Sequence, residues 1–269
     1  MRNLTLPALL AVSCLVPGGV EAADEVFDSK GVKIRYVTEG EGEPVVLIHG
    51  WMTDSSMWGR DASGNTQLKP PDGYRLIALD CRGHGKSDKP YDPEMYGPEM
   101  AADVVRLLDH LKIEKAHLIG YSSGAFIAAN VAATRPERVL SVVYAGQAPL
   151  VAELETSKSS PEVEAFAKAV DEGKVQGANG RDVKALAVAG RSFTKLEVSG
   201  EQLKKCEAPI LFIHGGNEAD SVKNRVAAVR QLLGRGEVKV IEGGNHITTL
   251  LNPEFAAAIV EFLHSTKPR

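Results

Sequence analysis

The sequence predicts an α/β fold, a mostly parallel sheet with helices on both faces, and two observations predict it. Short runs of nearly uninterrupted apolar residues, such as "PVVLIHG", "YRLIALD" and "KAHLIG", alternate with longer stretches of helical period, such as "EMAADVVRLLDHL" and "AFIAANVAATR". Strands apolar along both faces are what a sheet buried on both sides requires, and strand–helix alternation implies βαβ crossovers. The 269 residues, 43% of them hydrophobic, suffice for the core of such a sheet.

The first stretch, "MRNLTLPALLAVSCLVPGGVEAADE", has Arg2, an apolar run from Leu4 to Val16, a Pro-Gly-Gly break and small residues at Ala22 and Ala23. That is the order of a secretory signal peptide, so residues 1–22 are expected to be cleaved and the protein exported, periplasmic or secreted. The run is too short to span about 30 Å of hydrocarbon, and no stable membrane anchor is expected after cleavage. "VKIRYVTEG" alternates polar with apolar residues, as an antiparallel edge strand exposed on one side should. The core is expected over 23–147 and again over 206–269, where "APILFIHGG", "KNRVAAVRQLLG", "EVKVIEGGNH" and "NPEFAAAIVEFLH" resume the alternation. Between them, residues 148–205 turn to Ser, Glu, Lys and Ala without a strong strand. "SPEVEAFAKAVDEG" offers Ser160 as a cap, Pro161 at the first helical position and Gly173 as a stop, so this segment reads as a small helical cap.

Several function classes drop out. A net charge of −4 without long single-sign blocks, and no interleaving of basic with aromatic residues, excludes a nucleic-acid footprint. Cys81 and Cys206 have no CxxC or CxxH neighbours, so no metal site is expected, and two cysteines carry no disulfide framework. "LIALDCRGHGKSDKP" ends like a phosphate-binding loop. That loop needs a glycine where Asp80 stands and a helix where Pro90 intervenes.

The chemistry centres on "HLIGYSSGAFIAANVAA". A strand ending in Gly-Tyr-Ser-Ser-Gly and opening a helix is the context of a nucleophile elbow, with Ser122 at the junction. Bulk at Gly120 or Gly124 would collide across the bend, whereas Tyr121 and Ser123 point away from it. A hydroxyl is a poor nucleophile near neutral pH and needs a base. His246 in "VIEGGNHITTL" follows the last strand, at the strand ends where catalytic groups of open α/β sheets gather. For the acid that orients the imidazole, "LFIHGGNEADSV" offers Glu218 and Asp220. Asp220 is preferred because its short side chain is the commoner orienting acid. In "VVLIHGW" the backbone N–H of Trp51 pairs with that of Ser123 as an oxyanion hole, and His49 reads as structural.

On "LIHGW", "DCRGHGKSD", "GYSSG", "IHGGNEAD" and "GGNH", in the order nucleophile, acid, histidine, the chain resembles the α/β-hydrolase superfamily over about residues 26 to 265. The resemblance implies the α/β-hydrolase fold with a mostly parallel eight-stranded sheet, Ser122, Asp220 and His246 as a triad, and no cofactor. Ala125 stands where many relatives have a second glycine, and the shorter spacing from Gly215 lands on Glu218. Relatives that open epoxides or remove halides use Asp at the elbow, so Ser122 points instead to acyl transfer. The expected activity is hydrolysis of small or medium carboxylic esters through an acyl-enzyme, with a small-molecule ester as the substrate. Selectivity is expected to come from 148–205 and from Trp51 and Trp58. The same scaffold would serve a lactonase, an amidase or peptidase, a carbon–carbon bond hydrolase, a cofactor-free perhydrolase, or a non-catalytic ligand-binding receptor.

Overall fold

The sheet begins one strand earlier than the alternation predicts. In this computed structural model, which describes residues 23–59, 68–154, 160–177 and 181–266, β1 (Ala23–Ser29) pairs antiparallel with β2 (Val32–Gly40). The expected signal segment, 1–22, lies outside the described residues, as do 155–159 and 178–180 of the expected cap. "VKIRYVTEG" is antiparallel and buried on one face as expected, but it stands second in the sheet and β1 takes the edge. Three acids in "ADEVFDS" hide β1 from a hydropathy reading, although Phe27 is buried.

β2 pairs antiparallel with β4 (Tyr74–Leu79). β3 (Glu43–Ile48), β5 (Ala116–Tyr121), β6 (Val139–Ala145), β7 (Ile210–Gly215) and β8 (Glu237–Ile241) complete an eight-stranded sheet in the order β1-β2-β4-β3-β5-β6-β7-β8, parallel from β4 onward.

The apolar runs are continuous because successive residues bury on opposite faces. Val46, Ile48, Leu118, Val142 and Phe212 meet α1 (Pro98–His110), α2 (Ser123–Thr134) and α6 (Asp220–Leu233) through Leu107, Ile127 and Val229. Their neighbours Val45, Leu47, Ile119, Val143 and Ile213 meet α8 (Pro253–Ser265) through Phe255, Ile259 and Leu263. Each such side chain contributes about 1.5–3 kcal/mol by leaving water. Asn252 starts α8 by accepting from the Glu254 amide, with Pro253 at the first turn.

Between β6 and β7 run α3 (Pro161–Asp171), α4 (Val183–Ser192) and α5 (Gly200–Lys205); α7 (Thr248–Leu251) follows β8. α3 packs on α4, whereas α5, closed by a Ser199–Gln202 capping box, lies against α2 and α6 beside the sheet. Ser160 precedes α3, but its hydroxyl donates to the Glu162 carboxylate instead of capping the helix. Because β3, β5, β7 and β8 are parallel, the loops after them open at one edge of the sheet. That edge carries Trp51, Ser122, Glu218 and His246.

Candidate active site

Ser122 lies between β5 and α2 with φ 54° and ψ −120°, a region an L-residue enters only when its surroundings force it. The surroundings are explicit. A Cβ on Gly120 would sit 2.2 Å from the Gly124 carbonyl oxygen, across the bend. One on Gly124 would sit 2.2 Å from the carbonyl oxygen of Ile48, so this glycine admits α2 against β3 instead of relieving the bend itself. The Ser122 amide donates to the Ala145 carbonyl at 2.7 Å, and the Ala125 amide donates back to the Ser122 carbonyl at 2.9 Å.

The His246 imidazole reaches this hydroxyl from the loop after β8. Its Nδ1 lies 3.2 Å from Oε2 of Glu218 and its Nε2 lies 3.0 Å from Ser122 Oγ. A carboxylate can only accept, so Nδ1 carries the proton and Nε2 offers its lone pair to the hydroxyl. The Glu218 side chain is 3% exposed and the imidazole 41%.

The choice of Asp220 is corrected here. Its side chain is 88% exposed, in the first turn of α6, where it pairs with Lys223 at 3.0 Å. There it does the work of a negative charge at a helix N-terminus. Glu218 still belongs to the turn after β7, its amide donating to the Gly215 carbonyl. That turn is fastened to the histidine loop: the Asn217 amide donates to the Gly244 carbonyl at 2.8 Å, and a Cβ on Gly215 would lie 2.1 Å from the same oxygen. The two loops touch at residue 218; two residues later the chain has turned into the helix and towards solvent.

Tyr121 does point away from the bend, and towards the histidine. Its buried hydroxyl donates to the His246 carbonyl at 2.5 Å and its ring lies 5.7 Å from the imidazole. Burial, and then the Glu218 charge, push the phenol pKa up, which keeps it a neutral donor. Sequence pattern alone held no sign of this bond, which spans 125 positions.

Gly50 sits against the nucleophile, where an added Cβ would lie 3.1 Å from Ser122 Cβ. Trp51 follows it, so its backbone stands beside the serine, while the Ser123 amide, first in α2, has no acceptor within its own helix. The Trp51 indole donates to the Leu186 carbonyl of α4 at 2.9 Å and meets Phe166 of α3 at 5.2 Å. His49 is structural, as expected: the Cys81 amide donates to its Nε2, its Nδ1 donates to the Gly50 carbonyl, and burial lowers its pKa. "DCRGHGKSD" is structural too. Burial raises the Asp80 pKa, but the Lys86 and Ser55 amides more than reverse this, and Gly85, at φ +50°, leaves room for that carboxylate.

A cavity of about 740 Å³ opens over Ser122 and His246, walled by Trp51, Phe126, Val163 of α3 and Phe193 after α4. Trp58 has no place in it. The residue is buried in the apolar layer on the other face of the sheet, the one α8 also covers, because its short helical turn packs on β3 and β4. Cys81 and Cys206 are both buried and free.

An eight-stranded sheet with a strained serine, a histidine and a buried glutamate at one edge defines a class of serine-elbow α/β proteins. Residues 43–199 match the family model described as alpha/beta hydrolase fold, and the chain belongs to that family. It is 35% identical over 143 residues to an epoxide hydrolase of Caballeronia sordidicola, a match covering 53% of this chain and 41% of that one. The chain spans 31% to 42% of the length of the first curated relatives it matches. Among solved structures it resembles a protein from work on carboxylesterases of Nitrososphaera gargenis, with TM-score 0.72, 20% identity and coverage of 90% and 98%. It also resembles an esterase from Exiguobacterium antarcticum, with TM-score 0.71, 22% identity and coverage of 87% and 96%. These likenesses are of fold.

Proposed function

We propose that the protein is a serine hydrolase that cleaves carboxylic esters of small or medium acyl chain through an acyl-enzyme. The observation that carries this is the unbroken path from Glu218 through His246 to Ser122, with the serine held at φ 54° above a cavity. Ser122 Oγ attacks the ester carbonyl as His246 Nε2 takes its proton. The imidazolium then gives that proton to the departing alkoxide, and the acyl group stays on Oγ. Water, deprotonated by the same nitrogen, attacks the acyl-serine and releases the acid. Glu218 holds the tautomer and stabilises the imidazolium. The amides of Trp51 and Ser123 receive the oxyanion, and loss of one such donor costs about 2.7–4 kcal/mol of barrier.

Serine at the elbow also argues for acyl transfer over epoxide opening, although a matching relative is named an epoxide hydrolase. Relatives of that chemistry place Asp there. We further propose export, on the apolar run from Leu4 to Val16 and the small residues at Ala22 and Ala23; N-terminal sequencing of the recovered protein checks it. The test of activity is a fluorophosphonate probe with a panel of p-nitrophenyl esters, lactones and amides. Ser122 is expected to be labelled and the esters cleaved, both abolished in Ser122→Ala. A folded wild-type protein that stays unlabelled and cleaves no ester ends the reading.

A further inference from the structure

An oxyanion hole needs more than a free N–H. It needs one aimed at the point where charge develops, and the loop after β3 spends several bonds on that aim. Among the described residues the Trp51 amide has no acceptor. It shares a rigid peptide plane with the Gly50 carbonyl, N–H and C=O pointing in opposite directions, so whatever fixes the carbonyl fixes the N–H. That carbonyl receives three donors: His49 Nδ1 at 2.7 Å, Thr53 Oγ1 at 2.7 Å and the Thr53 amide at 3.3 Å. An oxygen with two lone pairs needs fewer to be satisfied. What the excess adds is direction, and donation into the carbonyl also polarises the amide and strengthens its N–H.

The donors are themselves fixed. The Cys81 amide donates to His49 Nε2 at 2.9 Å, which leaves the proton on Nδ1. The Thr53 hydroxyl has a single proton, and its shortest contact is the Gly50 carbonyl; Met57 Sδ, at 3.3 Å, and His49 Nδ1, at 3.4 Å, lie farther. Met57 Sδ also accepts from the Gly50 amide at 3.5 Å. Residues 50 to 53 form a turn whose third residue, Met52, has φ 62°, the pattern of a type II turn that ordinarily puts glycine there. The chain thus carries backbone strain one residue from the oxyanion donor, and the Thr53 bonds close the turn that holds it.

We infer that Thr53 is a positioning residue for acyl transfer: its hydroxyl, with His49, holds the peptide between Gly50 and Trp51 so that the Trp51 N–H faces the oxygen of the tetrahedral intermediate. Thr53 does not line the cavity over Ser122, so it acts on the transition state through this peptide and leaves ground-state binding alone. This inference rests on the acyl-transfer reading above and adds a residue that the reading does not contain.

Thr53→Val keeps the shape and removes the hydroxyl. Losing an oxyanion donor outright lowers kcat about a hundredfold to a thousandfold; misaiming it should lower kcat about tenfold on a p-nitrophenyl ester, with KM within about twofold of wild type. Thr53→Ser, which keeps the donor, should recover most of the loss. A trifluoromethyl ketone separates aim from shape. Ser122 Oγ adds to its carbonyl carbon, the serine proton passes to His246, and the carbonyl π electrons become the oxyanion. The matching carbinol occupies the cavity without forming one. In Thr53→Val the ketone should bind about tenfold more weakly, as loss of one hydrogen bond does, and the carbinol as in wild type. Thr53→Ala serves the same comparison if Thr53→Val does not fold.

The wild-type protein supplies an arm without any variant. Isotope-labelled tryptophan leaves two backbone amides to follow, those of Trp51 and Trp58, and the Trp51 amide proton should move downfield when the ketone adduct forms. A folded Thr53→Val with wild-type kcat, equal weakening of ketone and carbinol, no recovery in Thr53→Ser, or a Trp51 resonance that the adduct leaves in place each overturn the inference. A wild-type protein that neither labels with a fluorophosphonate nor cleaves any ester overturns the acyl-transfer reading instead.

Discussion

At Ser122 and Glu218 the chain accepts two costs that a purely structural protein would avoid: a non-glycine residue at φ 54° and a carboxylate 3% exposed. Strain of the first kind costs on the order of 1–3 kcal/mol, and an unpaired buried carboxylate costs more. The His246 contact offsets the second and, in the proposed mechanism, puts the first to use. Glu218→Gln should therefore lower kcat on the order of 10⁴-fold, because an amide no longer enforces the tautomer. Asp220→Asn should change kcat by less than about threefold, since the exposed pair with Lys223 is worth little. Steady-state kinetics on a p-nitrophenyl ester separates the two, and the reverse result would return the role to Asp220.

A second residue-scale consequence concerns pH. Burial above all holds the His84 imidazole at a pKa of about 3. The ring is neutral when folded, whereas an unfolded histidine protonates near pH 6.5. As pH falls from about 6.5 towards 4, only the unfolded state takes up that proton, so stability falls across this window. Urea midpoints measured over it should slope downward towards acid, and His84→Gln should flatten the slope. Parallel slopes for the two proteins would show that His84 titrates as it does in water.

At the scale of elements, the elbow works because a strand, a turn and a helix share very little space. Gly124→Ala would press a methyl group into the Ile48 carbonyl of β3, and neither backbone can yield without parting α2 from the sheet. We expect a loss of about 3 kcal/mol by chemical denaturation, together with loss of Ser122 labelling. Ala125→Gly, one residue on, should cost only about 1 kcal/mol, the ordinary penalty of glycine in a helix. The elements themselves were legible wherever one rule dominated. α8 carries Asn252 and Pro253 at its start, and β3, β5 and β7 are continuous apolar runs. β1 was illegible because the hydrogen bonds of β2 and the packing of Phe27, not its own hydropathy, make it a strand.

Across the whole molecule, distant segments are tied by a buried charge pair. Arg82 makes two bonds to Asp103 of α1, at 2.7 and 2.6 Å, with both side chains 1% exposed. Ser29 at the end of β1 donates to the same carboxylate at 2.5 Å, and Arg82 also donates to the Met95 carbonyl. One cluster thus joins the edge strand, the "DCRG" loop and the first helix. Asp103→Asn takes from the buried guanidinium the carboxylate it binds at 2.6–2.7 Å, leaving the more exposed Glu99 at 3.9 Å, and should cost about 3–5 kcal/mol of unfolding free energy in urea. A loss below about 1 kcal/mol would mean that water reaches the pair.

Local rules gave the layers, the position of the elbow, and the serine and histidine that the fold brings within 3.0 Å of each other. Each of these follows from periodicity, from glycine's missing Cβ, or from a residue's place at a strand end. What the fold alone decided is which acid meets the imidazole and where Tyr121 and the two tryptophans point. Those outcomes depend on contacts between loops far apart in the chain. Two residues of offset at a loop-to-helix junction take a side chain from the interior at Glu218 to solvent at Asp220, and no local pattern records that offset.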